Sequence, residues 1–337
     1  MSSIPLPIAR STHTAAMSAL SFLHSQLFVT PAIPTYDFKD QTIIITGANR
    51  GIGLEAARHL LRLNAKKVIL GVRSVKAGQD AAENLERSTG RTGAVQVEEL
   101  DMASHLSVKA FAGRMDQLDR LDAVLLNAGM YTHTFTKADG FETHLTVNVI
   151  NTLFLALLLL PTLKRGPGPE KPRISFVSSD RHVMFNLPEW KEDRPFEVLS
   201  DEKRARMPER YMISKLMLIL LAREMAIHVD GSDLIINSFT PGYCESGLIN
   251  DIKGPTRWVL SLLKKATART TEVGGRTLVA AIVPWPESHG KYLNDSCIDE
   301  SALSSFVRSE EGEQAQRKLW KDLLKILEQR EPAILSS

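Results

Sequence analysis

Tyr211 and Lys215 stand four residues apart, a spacing that puts both side chains on one face of a helix. A free tyrosine titrates near 10 and is a poor acid–base group at neutral pH. An ammonium beside it favours the phenolate and lowers that value. Such a phenol can give or take a proton while a hydride moves to or from a carbonyl carbon. The spacing is common by chance, so its weight comes from its companions. Ser178 and Ser179 end the apolar run Ile174 to Val177. A hydroxyl there lies at the carboxyl edge of a sheet, where open α/β proteins bind ligands. Position alone leaves the choice between Ser178 and Ser179 open as the group that would hold a carbonyl oxygen. Asn127-Ala128-Gly129 directly follows the run Asp122 to Leu126, and Asn148 stands among Leu145, Val147, Val149 and Ile150. A polar side chain so placed needs a partner if it is buried.

A second chemical feature lies upstream. Gly47, Gly51 and Gly53 have the spacing GxxxGxG within Thr46-Gly47-Ala48-Asn49-Arg50-Gly51-Ile52-Gly53. Glycines there permit a tight turn and a close approach of backbone to a pyrophosphate. The helix after the turn aims unsatisfied N–H groups at the phosphates. The glycine spacing is weak alone; its place between an apolar run and a helical pattern is the context it requires. Gly47, Asn49, Arg50, Gly51, Ile52 and Gly53 are the candidate contacts. The next apolar run ends Gly71-Val72-Arg73, with no acid for a ribose 2′-hydroxyl. Arg50 and Arg73 suit a 2′-phosphate instead, because guanidinium pairs with phosphate oxygens in a bidentate way. The expected cofactor is NADP(H).

The elements that must position these residues alternate. Strands are expected at Gln41 to Thr46, Lys67 to Leu70, Val95 to Leu100, Asp122 to Leu126, Ile174 to Val177 and Leu234 to Phe239. Helices are expected at Ile52 to Leu63, Ser74 to Thr89, Ser104 to Leu118, Phe141 to Leu163 and Arg210 to His228. Short apolar strands alternating with helices imply an α/β fold. We expect a single doubly wound parallel sheet of Rossmann type with helices on both faces, an N-terminal arm and a helical C-terminal extension. The expected organisation is an arm over 1–38, a domain over 39–300 with an insertion at 182–209, and a tail over 301–337. Residues 1–40, His182 to Glu209 and 250–337 do not fit the alternation. Glu310 to Gln329 carries Leu319, Leu323, Leu324 and Leu327 at helical spacing.

Composition narrows the classes. The chain has 337 residues, 43% hydrophobic and 24% charged, which excludes a disordered or low-complexity chain. A net charge of +2 argues against a nucleic-acid partner, and two cysteines exclude a disulfide scaffold. His133, His144, His182 and His289 lack metal-ligand spacing, so no metal is expected. Cys244 reads as a small buried filler. The run Leu153 to Leu160 is too short for a membrane span of about 20 residues, so it reads as a buried helix. Residues 15–29 read as a short amphipathic helix with Met17, Leu20, Leu23 and Leu27 on one side. Packing on the body of the protein is favoured over contact with a membrane surface or a targeting role.

Taken together, TGANRGIG, LNAG, Asn148, VSS, YMISK and Thr240-Pro241-Gly242 occur in the order of the short-chain dehydrogenase/reductase family. The sequence resembles that family from about Lys39 to Leu248, and more loosely to Cys297. It resembles most the retinol-dehydrogenase-like branch and fungal reductases of secondary metabolism. The resemblance implies Tyr211 as acid–base residue and Lys215 as the group that lowers its pKa and binds the nicotinamide ribose. It implies that Ser179 polarises the carbonyl and that Asn148 holds a relay water. It further implies Asp101 at the adenine, Asn127, Ala128 and Gly129 along the cofactor, and Pro241 and Gly242 beside the nicotinamide. Ser246 is the nearest hydroxyl to the usual carboxamide contact. An apolar carbonyl or alcohol substrate, a cytoplasmic location and a homodimer through the helices holding Asn148 and Tyr211 complete the expectation. The rival is a non-redox protein on the same fold, binding or cyclising its ligand; the intact Ser179, Tyr211, Lys215 and Asn148 set argues against it.

The reading of the arm predicts that the protein stays at the bottom of a liposome flotation gradient, with or without residues 1–30. Flotation of the full chain alone would place the arm on a membrane surface.

Overall fold

A computed structural model gives the architecture for residues 19–166, 168–245, 268–332 and 334. The strands are β1 Thr42–Thr46, β2 Lys67–Val72, β3 Val95–Glu99, β4 Ala123–Leu126, β5 Lys137–Ala138, β6 Phe141–Glu142, β7 Arg173–Val177, β8 Ile235–Phe239, β9 Tyr292–Asn294 and β10 Cys297–Ile298. Among the described residues the main sheet has the order β10-β9-β8-β7-β4-β1-β2-β3. Its pairs are parallel except β9 with β10. The strand sequences reflect that placement. Ile43 and Ile45 pack into one core cluster and Ile44 into the other, so both faces of β1 are covered and TIIIT has no polar alternation.

One face carries α2 Gly51–Arg62, α3 Val75–Thr89 and α8 Thr271–Ala281. The other carries α4 His105–Met115, α5 Thr143–Arg165, α7 Met207–His228 and α9 Glu310–Arg330. The helix α5 is apolar and long enough to cross a membrane, but 89% of its most apolar window is buried inside the protein. It is the buried helix expected from the sequence. The segment after Ser179 holds 3₁₀ turns at Asp180–Met184 and Pro188–Lys191 and the short α6 Pro195–Leu199, anchored by buried Leu187, Phe196 and Leu199.

Three expectations are corrected. Phe141 and Glu142 belong to the β5–β6 hairpin, not to the long helix. Asp139 and Gly140 both have positive φ (50° and 88°), which closes a two-residue turn. Glu142 then starts α5, its carboxylate accepting from the N–H groups of His144 and Leu145. Second, the alternation does not stop near residue 250. The helix α8 and the strand β9 add one more unit, and β9 is parallel to β8. Third, α1 Ala19–Phe28 docks through its polar side. Ser25 and Gln26 are buried, whereas Leu23, Leu27 and Phe28 are 42%, 49% and 76% exposed. Met17 lies outside the described residues.

Arg269 explains this docking. Its guanidinium donates to the carbonyls of Ser25 (3.0 Å), Val29 (3.1 Å) and Pro241 (3.3 Å), and pairs with Asp295 at 2.5 Å. Both side chains of that pair are almost fully buried. Breaking a buried pair leaves a charge without compensation. Arg269→Ala is therefore expected to lower unfolding free energy by about 3–5 kcal/mol, and Leu27→Ser by no more than about 0.5 kcal/mol, measured by denaturant titration. Equal small losses would show that the arm is not held this way.

Candidate active site

The glycine turn joins β1 to α2. Gly47 and Gly51 hold φ of +67° and +64°, left-handed conformations that favour glycine. Arg50 precedes α2 and gives no side-chain hydrogen bond to its first turn. The N–H groups of that turn are thus left for a ligand. A methyl on Gly53 would lie 2.7 Å from Asn127 Nδ2, so this glycine keeps the turn against β4. Asn127 in turn donates to the carbonyls of Thr46 (2.8 Å) and Gly47 (3.3 Å). Thr46 Oγ1 accepts from the N–H groups of Asn127 (3.0 Å) and Ala128 (2.9 Å). The residues present fit a dinucleotide: an uncapped helix N-terminus, a turn with glycine at 47, 51 and 53, and two exposed cations, Arg50 and Arg73, with no ion pair among the described residues. Asn49 and Ile52 lie in that turn. Asp101 uses one carboxylate oxygen to accept from Ala103 N–H (2.9 Å), which sets the loop after β3.

The reacting groups gather at the carboxyl ends of β4, β7 and β8. Lys215 lies in α7 and is 3% exposed. Its Nζ donates to the Val177 carbonyl at 2.7 Å. Burial holds its pKa down to about 8. Ser178 Oγ donates to the Lys215 carbonyl at 3.0 Å, so that hydroxyl is spent on the fold. Ser179 stands at the edge, its Oγ donating to Asp180 Oδ1 (3.2 Å) and accepting from Arg181 N–H (3.2 Å). The Lys215 Nζ lies 5.8 Å from the centre of the Tyr211 ring. The Tyr211 ring also stands edge-on to Tyr131, with centroids 5.2 Å apart.

Burial pushes the Tyr211 phenol up to about 12, the nearby Asp180 carboxyl adds to the rise, and Arg181 and Ser179 only partly oppose it. The Lys215 nitrogen sits over the ring and is itself desolvated.

Asn148 lies in a π-helical turn, Thr146–Ile150, a local irregularity frequent at functional sites. Its Oδ1 accepts from Met130 N–H (2.9 Å), and its Nδ2 donates to the Met130 carbonyl (3.1 Å) and Ser214 Oγ (3.0 Å). The side chain so engaged ties α5, α7 and the loop after β4 together. A methyl on Gly129 would lie 3.3 Å from Asn148 Oδ1 and 3.5 Å from Lys215 Nζ, so Gly129 lets these two groups converge. Pro241 is buried, and Gly242, with φ +75°, donates its N–H to Thr240 Oγ1 (3.1 Å). Ser246 lies outside the described residues. Cys244 is buried, its thiol pushed up to about 12 by burial, as befits a filler. Among the described residues no cluster suits a metal ion.

Comparison with known proteins fits this geometry. The sequence model of the short chain dehydrogenase family matches residues 41–186. The chain is 63% identical over 329 residues to the short-chain dehydrogenase anuD of Penicillium roqueforti, covering 95% of this chain and 86% of that protein. The chain belongs to the short-chain dehydrogenase family. This dehydrogenase is also 38% identical to the short chain dehydrogenase/reductase dmxR8 of Cryptosporiopsis sp., over 94% of this chain and all of that one. Its fold matches a solved but uncharacterized protein of Mycobacterium paratuberculosis with a TM-score of 0.64 and 26% identity, over 86% of this chain and 96% of that chain.

Several residues of the dehydrogenase site escaped the sequence reading. Asp180, beside Ser179, is buried and near Tyr211; a charged residue at the end of an apolar strand was the available signal. Thr240, by contrast, belongs to the Thr240-Pro241-Gly242 motif that the sequence offered; its Oγ1 accepts from both Asp180 and Gly242 N–H groups. The buried His144–Glu142 pair (2.8 Å) orients the Tyr131 loop, with His144 Nε2 accepting from Thr132 N–H at 3.1 Å. No spacing announced that pair.

Gly53→Ala is expected to push Asn127 off the turn and weaken nicotinamide-cofactor binding about tenfold, the equivalent of about 1.4 kcal/mol. Gly113→Ala, with open space around it, is expected to leave binding unchanged. Fluorescence titration of the reduced cofactor checks both; equal affinities in the two variants would remove the turn from the cofactor site.

Proposed function

We propose that this oxidoreductase is an NADP(H)-dependent carbonyl reductase acting on an apolar ketone or aldehyde of the kind handled by fungal secondary metabolism, within the retinol-dehydrogenase-like branch. The observation that carries the reading is the convergence of Ser179, Tyr211 and Lys215 at the sheet edge, with Ser178 already spent. Arg50 and Arg73, with no ion pair among the described residues and no acid after β2, support a 2′-phosphate. Asp101 at the adenine, Asn127 to Gly129 along the ribose, and Pro241 and Gly242 beside the nicotinamide complete the cofactor contacts. The organisation is an arm, one catalytic domain carrying the 182–209 insertion, and a helical tail; the protein pairs through α5 and α7 and works in the cytoplasm.

When bound, the cofactor supplies a hydride from nicotinamide C4 to the carbonyl carbon. Tyr211 gives its phenolic proton to the carbonyl oxygen as charge develops there. Ser179 hydrogen-bonds the same oxygen. A phenol held up near 12 retains its proton at neutral pH until that oxygen becomes basic, which suits an acid in the reductive direction. Lys215 then faces the phenolate and stabilises it until a proton returns, and Asn148 holds α5 against α7 so that this geometry persists.

Two results test this. NADPH consumption with a panel of apolar ketones and aldehydes should fall by about 10²–10⁴-fold in Tyr211→Phe; undiminished turnover would sink the assigned chemistry. Arg50→Ala and Arg73→Ala should each lower kcat/KM for NADPH by about 10–100-fold while sparing NADH. Equal losses with both cofactors would remove the 2′-phosphate reading.

A further inference from the structure

Asp180 is a buried carboxyl in the reaction site that the mechanism above does not use. It is 7% exposed and directly follows Ser179. Its own N–H donates to Thr240 Oγ1 at 3.1 Å, which fixes its backbone against the loop beside Pro241. Ser179 Oγ donates to Asp180 Oδ1 at 3.2 Å and accepts from Arg181 N–H at 3.2 Å.

A serine hydroxyl has one hydrogen to donate and two lone pairs. In this arrangement the hydrogen is committed to the carboxylate and one lone pair to Arg181. What remains is a single lone pair on the side of the Tyr211 hydroxyl, which also bonds Ser179; it can accept from an alcohol but cannot donate to a carbonyl oxygen. If Asp180 carries a proton, the direction reverses: the acid donates to Ser179, and the serine hydrogen is released toward the substrate.

We propose that Asp180 sets the polarity of Ser179, making it a donor to a carbonyl when Asp180 is neutral and only an acceptor from an alcohol when Asp180 is ionised. Asp180 is a positioning residue in this role, and the proposal rests on the reading of Ser179 given above. The charged and titratable groups facing it are Arg181 on its own turn, Arg269 beside the 241–244 loop, Cys244 in that loop, Tyr211 on α7 and Tyr292 on β9. Burial raises the Asp180 pKa against the opposing effects of Ser179, Arg181 and Arg269. The neutral form thus persists to higher pH than for an ordinary carboxyl. Carbonyl reduction is favoured below that ionisation and declines as pH rises through it; alcohol oxidation moves the other way.

Asp180→Asn is close in shape, cannot ionise, and offers an N–H to Ser179 as the protonated acid does. Its reductive kcat should stay flat over the pH range in which the wild type falls about tenfold per unit. Combining it with Ser179→Ala should abolish that difference; a difference that survives without the Ser179 hydroxyl overturns the proposal. The Tyr211 phenol, followed by phenolate absorbance against Tyr211→Phe, should titrate about one unit lower in Asp180→Asn, and an unmoved titration also overturns it. This second readout needs no substrate. A shifted titration in a protein that reduces no carbonyl compound would support the Asp180–Ser179 coupling and overturn the proposed reductase function instead. Infrared spectra of the wild type need no variant to fold: a protonated-carboxyl band persisting above the ordinary carboxylate range supports the proposal, and a band lost within that range contradicts it.

Discussion

The hydrogen bond from the Lys215 ammonium to the Val177 carbonyl is the contact on which the rest of the site depends. Lys215 is almost wholly buried, and taking an ammonium out of water costs several kcal/mol. The 2.7 Å bond to Val177 offsets part of that cost, and the residual shows as a pKa brought down to about 8. The same bond locks the end of β7 to α7. Ser178 closes the stitch from the other side by bonding the Lys215 carbonyl. Because Lys215 and Tyr211 are one helical turn apart, fixing the lysine also fixes where the phenol stands relative to Ser179.

Other elements converge on that stitch. Asn148, through Ser214 and Met130, brings α5 and the loop after β4 to the same place. The Thr46–Asn127 bonds carry the glycine turn to the next strand. On the far side, Thr240 Oγ1 gathers the N–H groups of Asp180 and Gly242. Gln26 of the arm bonds both backbone groups of Tyr243 at 3.0 Å. The arm is thus coupled to the loop next to Gly242 through polar contacts, with Leu23, Leu27 and Phe28 left outward.

The architecture was legible where burial on both faces forces the composition. TIIIT, RISFV and the strand ending at Phe239 can only be central strands, and the glycine turn announces the helix after β1. The eight-stranded extent was not, because β9 and β10 are three and two residues long and carry little pattern. The hairpin before α5 was hidden by the apolar run behind it, although Asp139-Gly140 is a recognised turn signal. The arm misled for a different reason. Helical periodicity in Leu20, Leu23 and Leu27 marks a face but cannot say what covers it, and here a buried Arg269 draws in the opposite, polar face. Ser179 was favoured over Ser178 through the family resemblance alone; that Ser178 bonds the Lys215 carbonyl is a contact local sequence does not reveal. Asp180 could be read as a residue, but its burial and its effect on Tyr211 come from chain brought in from β9 and from α7, which local sequence does not reveal.

The central claim is that this sheet edge moves a hydride to a carbonyl carbon while Tyr211 moves the proton. The most direct measurement uses NADPH carrying deuterium at C4, prepared separately as each of the two epimers, with a ketone the enzyme reduces. The account predicts one deuterium on the carbinol carbon of the product from one epimer and none from the other, with the hydroxyl hydrogen drawn from solvent. A reduced product without deuterium from either epimer would contradict it.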